Sequence, residues 1–361
     1  MLFRSEGSMT TTITASIEVK PSRPWVKTPR QRMPSLVVAI FALIFSGAVI
    51  KFTPLSGKLG FFVVFVPTIT VAEYVLMRLK ADKKAAQDVL VSSIMWTAAF
   101  LVFLPVMSIL VTTVVRGSQG LKANLFTDTM KITSYSDPLT QGGLLHALIG
   151  TVYLILFSIL ISVPLGLLTA LYITEIRGRG SGFVQFIVQA MSGVPSVIAG
   201  LFIFSSIILA TPLKASSIVG SLALSILMVP TVTRASQEVL ALIPNDLREA
   251  GLALGATQWK TVAMVVVPAA KSGLITAMIL GVARIAGETA PLLFVLGGTD
   301  ALNLNPFKDF NSGLPLYIWK GILIGEPEAV NRAWSGILIL LALVLIFFSL
   351  ARILGPKREK L

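Results

Sequence analysis

Apolar residues arrive along this 361-residue chain in long runs separated by short polar stretches. Eight runs are long enough, or nearly so, to cross a bilayer, which takes about 20 residues. They lie at approximately 34–50, 59–77, 89–115, 143–173, 183–210, 216–233, 270–297 and 333–353. The first is the shortest, and the fourth is over-long, so the fourth is expected to tilt or to extend past the membrane. This pattern predicts an all-α polytopic membrane protein.

The polar stretch between the sixth and seventh runs is the exception to the pattern. Asp246 followed three residues later by Glu249 approximates a capping box, and Gly255 can take the left-handed conformation that ends a helix. A short exposed helix over 247–254 is therefore predicted. Thr257 can start the next helix, and Pro268 is expected to limit it. A helix this short is marginal alone, and docking into a groove on a partner would stabilise it.

Composition sharpens the class. The chain is 55% hydrophobic and 13% charged, which places it with membrane proteins. There is no cysteine, and the single histidine, His146, opens an apolar run, so a His/Cys metal site is not expected. That histidine reads as interfacial or packed. The net charge of +13 clusters in loops beside the apolar runs, as the positive-inside rule expects, which argues against nucleic acid as a partner. With the N-terminus inside, the inside segments hold 20 Lys and Arg, the outside loops hold 9, and Arg284 lies within a span. Both termini are thus expected in the cytoplasm. Residues 1–33, with Lys20, Arg23, Lys27, Arg30 and Arg32, read as a flexible basic tail suited to anionic lipid. No apolar core with a small-residue cleavage site precedes it, so no removable signal peptide is expected.

Glu249-Ala250-Gly251, then Gly255, then Val265-Val266-Val267-Pro268 fall in a register that resembles the cytoplasmic coupling loop of importer-type ABC permeases. That loop usually reads Glu-Ala-Ala, three residues, Gly, nine residues, Ile-x-Leu-Pro. Further stretches resemble the six-helix permease subunit of bacterial phosphate ABC importers, the PstA type. They are GGLLHALIGT at 142–151, SVPLGLLTALYITEI at 162–176, SGVPSVIAGLF at 192–202, LMVPTVTRASQEVL at 227–240 and ARIAGETAPLLF at 283–294. The Gly-Glu-Thr-Ala-Pro sequence at 287–291 is the most specific of these. The resemblance implies a type I importer permease domain over 89–361 with a coupling loop at 240–270, preceded by two additional helices over 34–88. It also implies partners in a bacterial inner membrane: a second permease of the PstC type, ATPase subunits of the PstB type holding ATP and Mg, and an external phosphate-binding protein of the PstS type. No Walker A sequence occurs, so this chain is expected to bind no cofactor and to be no enzyme.

Arg284 and Glu288 stand inside the seventh run, four residues apart. A charge near the bilayer centre costs at least a few kcal/mol, so neither is expected to face lipid. Gly273, Ala277, Gly281, Arg284 and Glu288 form one helical stripe, whose small members admit a neighbouring helix. In the functional reading, Arg284 offers its planar fork to a passing oxyanion and Glu288 holds it in place. In the plain reading, the two form a buried pair that locks helices together. Gly193, Pro195 and Gly200 are expected to interrupt the fifth span and Pro230 the sixth, freeing backbone groups to line a cavity or merely kinking the helices. Arg234 and Glu238 follow Pro230 at the expected cytoplasmic mouth as a gate or an interfacial pair. Two other functions remain open on sequence: a permease of the same architecture for sulfate, molybdate or another small solute, and a stand-alone secondary transporter or membrane-embedded enzyme.

Overall fold

The computed structural model describes residues 29–53, 57–80 and 82–354, so the basic tail lies outside them apart from its last residues. The helices are α1 Pro29–Phe52, α2 Lys58–Lys80, α3 Lys83–Gln119, α4 Asn124–Thr127 and α5 Leu145–Leu171. Next come α6 Ser181–Ser192, α7 Ser196–Ile203, α8 Ser217–Ala241, α9 Asn245–Ala253 and α10 Gln258–Thr261. The last four are α11 Val267–Ala286, α12 Leu292–Val295, α13 Leu314–Ile324 and α14 Pro327–Leu354. Single π-helical turns extend α5 (Tyr172–Ile176), extend α7 (Phe204–Ile208) and join α10 to α11 (Val262–Val266). Among the described residues, seven helices are long and apolar enough to cross a membrane, and the bent α6–α7 pair makes an eighth.

The chain divides into two compact units, Met1–Met107 and Ser108–Leu361. In the first, α1 packs on α2, and Phe62 of α2 meets Phe100 of α3 with ring centroids 5.9 Å apart. Few side chains on these helices are buried, and many of the exposed ones are apolar, as a lipid-facing surface requires. The second unit is organised around α5 and α8. Met228, Val232, Leu224 and Ala223 of α8 are fully buried with Leu154 of α5, Ile285 of α11 and Leu292 of α12. Hydroxyls add cross-links, because Thr233 Oγ1 donates to the Gly166 carbonyl and Ser158 Oγ to that of Ser221.

Several boundaries differ from the sequence expectation. The seventh span is not 270–297 but Gln258–Ala286, running straight through Pro268. A proline inside a helix lacks its N–H and crowds the carbonyl four residues back. Here the π turn at Val262–Val266 precedes it and widens the helix at that carbonyl, so Pro268 lies in the first turn of α11 rather than limiting a helix. Pro230 likewise sits inside an unbroken α8, which reaches Ala241 rather than ending near 233. The residues around it are buried against α5 and α11, and packing outweighs the one lost hydrogen bond. Helix α13 was not foreseen, since its 11 residues are too few to cross a bilayer.

The break expected in the fifth span is real, with α6 and the following helix bent by 104° across Gly193–Pro195. Gly200 plays a different part from its neighbours. It lies within α7, where a Cβ would stand 2.6 Å from the Cα of Pro291. Both sides of that approach are backbone, so neither can swing aside. Gly200→Ala is expected to destabilise the assembled protein by about 1–3 kcal/mol, the usual range for overpacking. A thermal melt of the purified complex checks this, and an unchanged midpoint would contradict the packing argument.

Candidate translocation pocket and coupling hairpin

Helices α8 and α11 and the end of α6 converge on a pocket of about 290 Å³. Helix α8 contributes Pro230, Thr231, Arg234 and Glu238, α11 contributes Arg284, and α6 contributes Ser192. The small-residue stripe on α11 sets this geometry. A Cβ on Gly281 would meet Val232 Cγ2 at 2.7 Å, and Ala277 is buried, so α11 lies directly on α8. The spacing of small residues thus predicted a close helix neighbour, and that neighbour is α8.

Arg234, Glu238 and Arg284 are all exposed on the surface of this chain, and none forms an ion pair among the described residues. The pocket therefore carries two guanidiniums against one carboxylate. Its hydroxyls are already committed: Thr231 Oγ1 donates to the Leu227 carbonyl and Ser192 Oγ to that of Val188. The guanidiniums are the donors that remain for an anion, and their planar forks suit an oxyanion.

Glu288 does not join them. Helix α11 ends at Ala286 with Gly287 as its cap, so Glu288 lies in the following turn, where its N–H donates to the Ile285 carbonyl. The expected pair on one helix face is therefore not formed. Glycine at the cap followed by Pro291 favours termination over continuation. Pro195 stands at the α6–α7 break and is not part of the pocket lining.

The polar stretch before α11 folds as a helical hairpin, α9 followed by α10. Helix α9 starts at Asn245, with Pro244 at the cap position and no side-chain capping bond, so Asp246 is a first-turn acid rather than the cap. Its charge still complements the helix N-terminus. Gly255 takes φ +80° just past the helix, as its position predicts. Ala250 and Glu249 are exposed, whereas Gly251 is buried, with Thr261 Cγ2 2.7 Å from where a Cβ would stand. Leu252, Leu254 and Trp259 are largely exposed on the hairpin, which leaves apolar surface free for a partner.

The hairpin is fastened to the bundle by an ion pair that sequence reasoning missed. Arg248 of α9 donates through Nε to Glu175 Oε2 at 2.8 Å and through Nη2 to Glu175 Oε1 at 2.7 Å. Its remaining donors reach the carbonyls of Ile243 and Leu240 at 2.6 and 2.9 Å. Gln258 Nε2 donates to the Glu175 carbonyl. Glu175 is only 4% exposed, and its hydrogen bonds push the Arg248 guanidinium above its ordinary pKa. The two residues lie 73 positions apart, so no local spacing announced them.

A second polar cluster lies near the start of α5. Arg332 is fully buried and donates through Nη2 to the carbonyls of Asp137, Pro138 and Gln141. Asp300 accepts from Tyr135 at 3.1 Å and from Lys320 at 3.0 Å. Burial and the Asp300 charge hold the Tyr135 phenol above its ordinary pKa, so it remains a donor. His146 is packed edge-on against Tyr317. Loop 128–141 is thereby pinned across the bundle end.

Helices long and apolar enough to cross a membrane, grouped around a pocket that carries two arginines and with an exposed hairpin clamped to them, define a multi-pass membrane protein. Residues 162–360 match the family described as binding-protein-dependent transport system inner membrane component, and the chain belongs to that family. A phosphate transport system permease protein, PstA 1 of Mycobacterium tuberculosis, is 38% identical over 224 residues, 61% of this chain and 73% of the relative. The corresponding PstA of Yersinia pestis is 35% identical over 254 residues, 70% of this chain and 84% of the relative. An inward-facing MetNI methionine ABC transporter structure aligns over 58% of this chain and 88% of its own, at 22% identity and a TM-score of 0.43.

Proposed function

We propose that this chain is a permease subunit of an ATP-driven phosphate importer, forming the translocation path with a second permease subunit of the PstC type. One observation carries the reading. Relatives named as phosphate permeases are 34–40% identical to it, and the family match over 162–360 takes in both the pocket and the hairpin. Two exposed guanidiniums within spans should not face lipid. A second permease chain across the pocket would enclose them and complete a path for the anion. Arg284, Arg234 and Pro230 line that path in this reading, while Pro195 shapes it through the bend, and Glu288 borders its end.

Energy comes from PstB-type ATPase subunits that hold ATP and Mg and grip the exposed face of α9 and α10. Asp246, Glu249, Ala250, Gly251, Gly255 and Pro268 belong to this coupling element. Movement of α9 is passed to α5 through Arg248 and Glu175, and to α11 through the continuous helix from Gln258. Alternating access follows from these two linkages. An external phosphate-binding protein delivers the anion, and the hairpin end lies in the cytoplasm of a bacterial inner membrane with both termini. The importer domain begins near residue 89, and residues 34–88 are an addition in front of it.

Uptake of labelled phosphate at low concentration, in cells lacking this gene with and without the restored chain, tests the proposal. Restored uptake that excess phosphate suppresses and excess sulfate or molybdate does not is the expected result. No restoration, in a membrane where the chain is shown to assemble with its partners, would overturn phosphate as the substrate.

A further inference from the structure

Helices α5, α11 and α14 enclose a second pocket of about 320 Å³, separate from the one lined by arginines. Its lining is apolar throughout, including Ile159 and Val163 of α5, Met278 and Val282 of α11, and Phe348 and Ala351 of α14. The volume sits at the lower end of the range for small-molecule sites, roughly 300–1,000 Å³. An apolar recess of this kind between membrane spans suits a hydrocarbon chain.

Charge defines the other half of the site. Lys271 lies on α11 four residues before Ile275, which lines the pocket, and Arg352 lies on α14 four residues after Phe348, which also lines it. Four residues is one helical step on the same face, so each cation stands directly beyond the apolar lining. Helices α11 and α14 are packed, consecutive spans of opposite direction. The start of one and the end of the other therefore lie at the same end of the bundle, the end that bears the coupling hairpin. Both cations are exposed, and neither forms an ion pair among the described residues. A basic mouth over an apolar recess between spans at the cytoplasmic side is the arrangement that holds anionic lipid headgroups.

We infer that this pocket binds one anionic phospholipid, its acyl chain between α5, α11 and α14 and its phosphate on Lys271 and Arg352. Cations at a membrane surface also attract anionic lipid without any pocket, so the test must separate a built site from a charged rim.

The assembled complex, purified in detergent, is titrated with phosphatidylglycerol and with phosphatidylcholine of the same acyl chains, and bound lipid is counted by native mass spectrometry. One phosphatidylglycerol per chain is expected, preferred over phosphatidylcholine by about thirtyfold for two cations near the surface. Lys271→Gln combined with Arg352→Gln removes the preference. Val344→Trp fills the recess and lowers occupancy with the cations intact, and Val163→Phe does the same from α5 should the first variant fail to assemble. Lys83→Gln with Lys84→Gln leaves occupancy unchanged. Equal binding of the two lipids, full occupancy in the filled variants, or an equal loss in the Lys83 and Lys84 variant overturns the inference. So does an assembled complex that retains no lipid, which would mean that a partner helix covers the recess.

Discussion

Arg284→Ala is expected to lower the initial rate of phosphate uptake by about ten- to a hundredfold while the complex still assembles. The magnitude follows from a hydrogen bond to a charged group, about 1.5–3 kcal/mol, at about 1.4 kcal/mol per tenfold. The structure makes the prediction sharper than sequence did. Because Glu288 lies beyond the end of α11, the Arg284 guanidinium is not consumed by the carboxylate four residues on and faces the pocket. Arg284→Lys keeps the charge but loses the bidentate fork, so an intermediate rate is expected. Labelled uptake, with co-purification of the partner subunits as the control, decides the matter. Unchanged uptake by an assembled Arg284→Ala complex would remove this residue from the path.

The second large effect is expected at the clamp between hairpin and bundle. Arg248→Ala strands the buried Glu175 carboxylate without its partner, and breaking such a pair costs about 3–5 kcal/mol. Loss of both phosphate uptake and transport-coupled ATP hydrolysis is predicted. Loss of folding alone could produce the same result, so a second variant is needed. Replacing both members, Glu175→Leu with Arg248→Met, removes the stranded charge and is expected to recover much of the thermal stability. If transport returns together with stability, the pair is only structural. If stability returns and coupling does not, the clamp transmits the movement of α9.

Much of this architecture was legible because hydrophobic runs of membrane length admit few readings. The left-handed Gly255 that closes α9 was readable too, since the glycine rule acts over a few residues, whereas the capping box expected at Asp246 is not formed and Pro244 stands at the cap. Helix ends were read less well. Pro268 and Pro230 look like stops in a local pattern, yet a π turn absorbs the first and dense packing overrides the second. The same local reading carried α11 through Glu288, where the chain in fact turns at Gly287. In the pocket, Arg284 could be named as a charge inside an apolar run, Pro230 as a break in one and Arg234 from its place just beyond that run, and the structure brings them together. Pairings across long separations, such as Glu175 with Arg248 or Arg332 with the 137–141 carbonyls, leave no periodic trace. They arise only once the helices are in place.

The π turn at Val262–Val266 has a mechanical meaning for the helix that runs from hairpin to pocket. A π turn holds one residue more than an α turn. Exchanging it for α geometry rotates everything beyond it by about 100° and moves it about 1.5 Å along the axis. Arg284 rides on that distal segment, while the proximal end is held by Gln258 at the Glu175 carbonyl. Hairpin and guanidinium are thus joined by a screw with one thread in reserve, so that a small displacement at the hairpin would reorient the charge at the pocket.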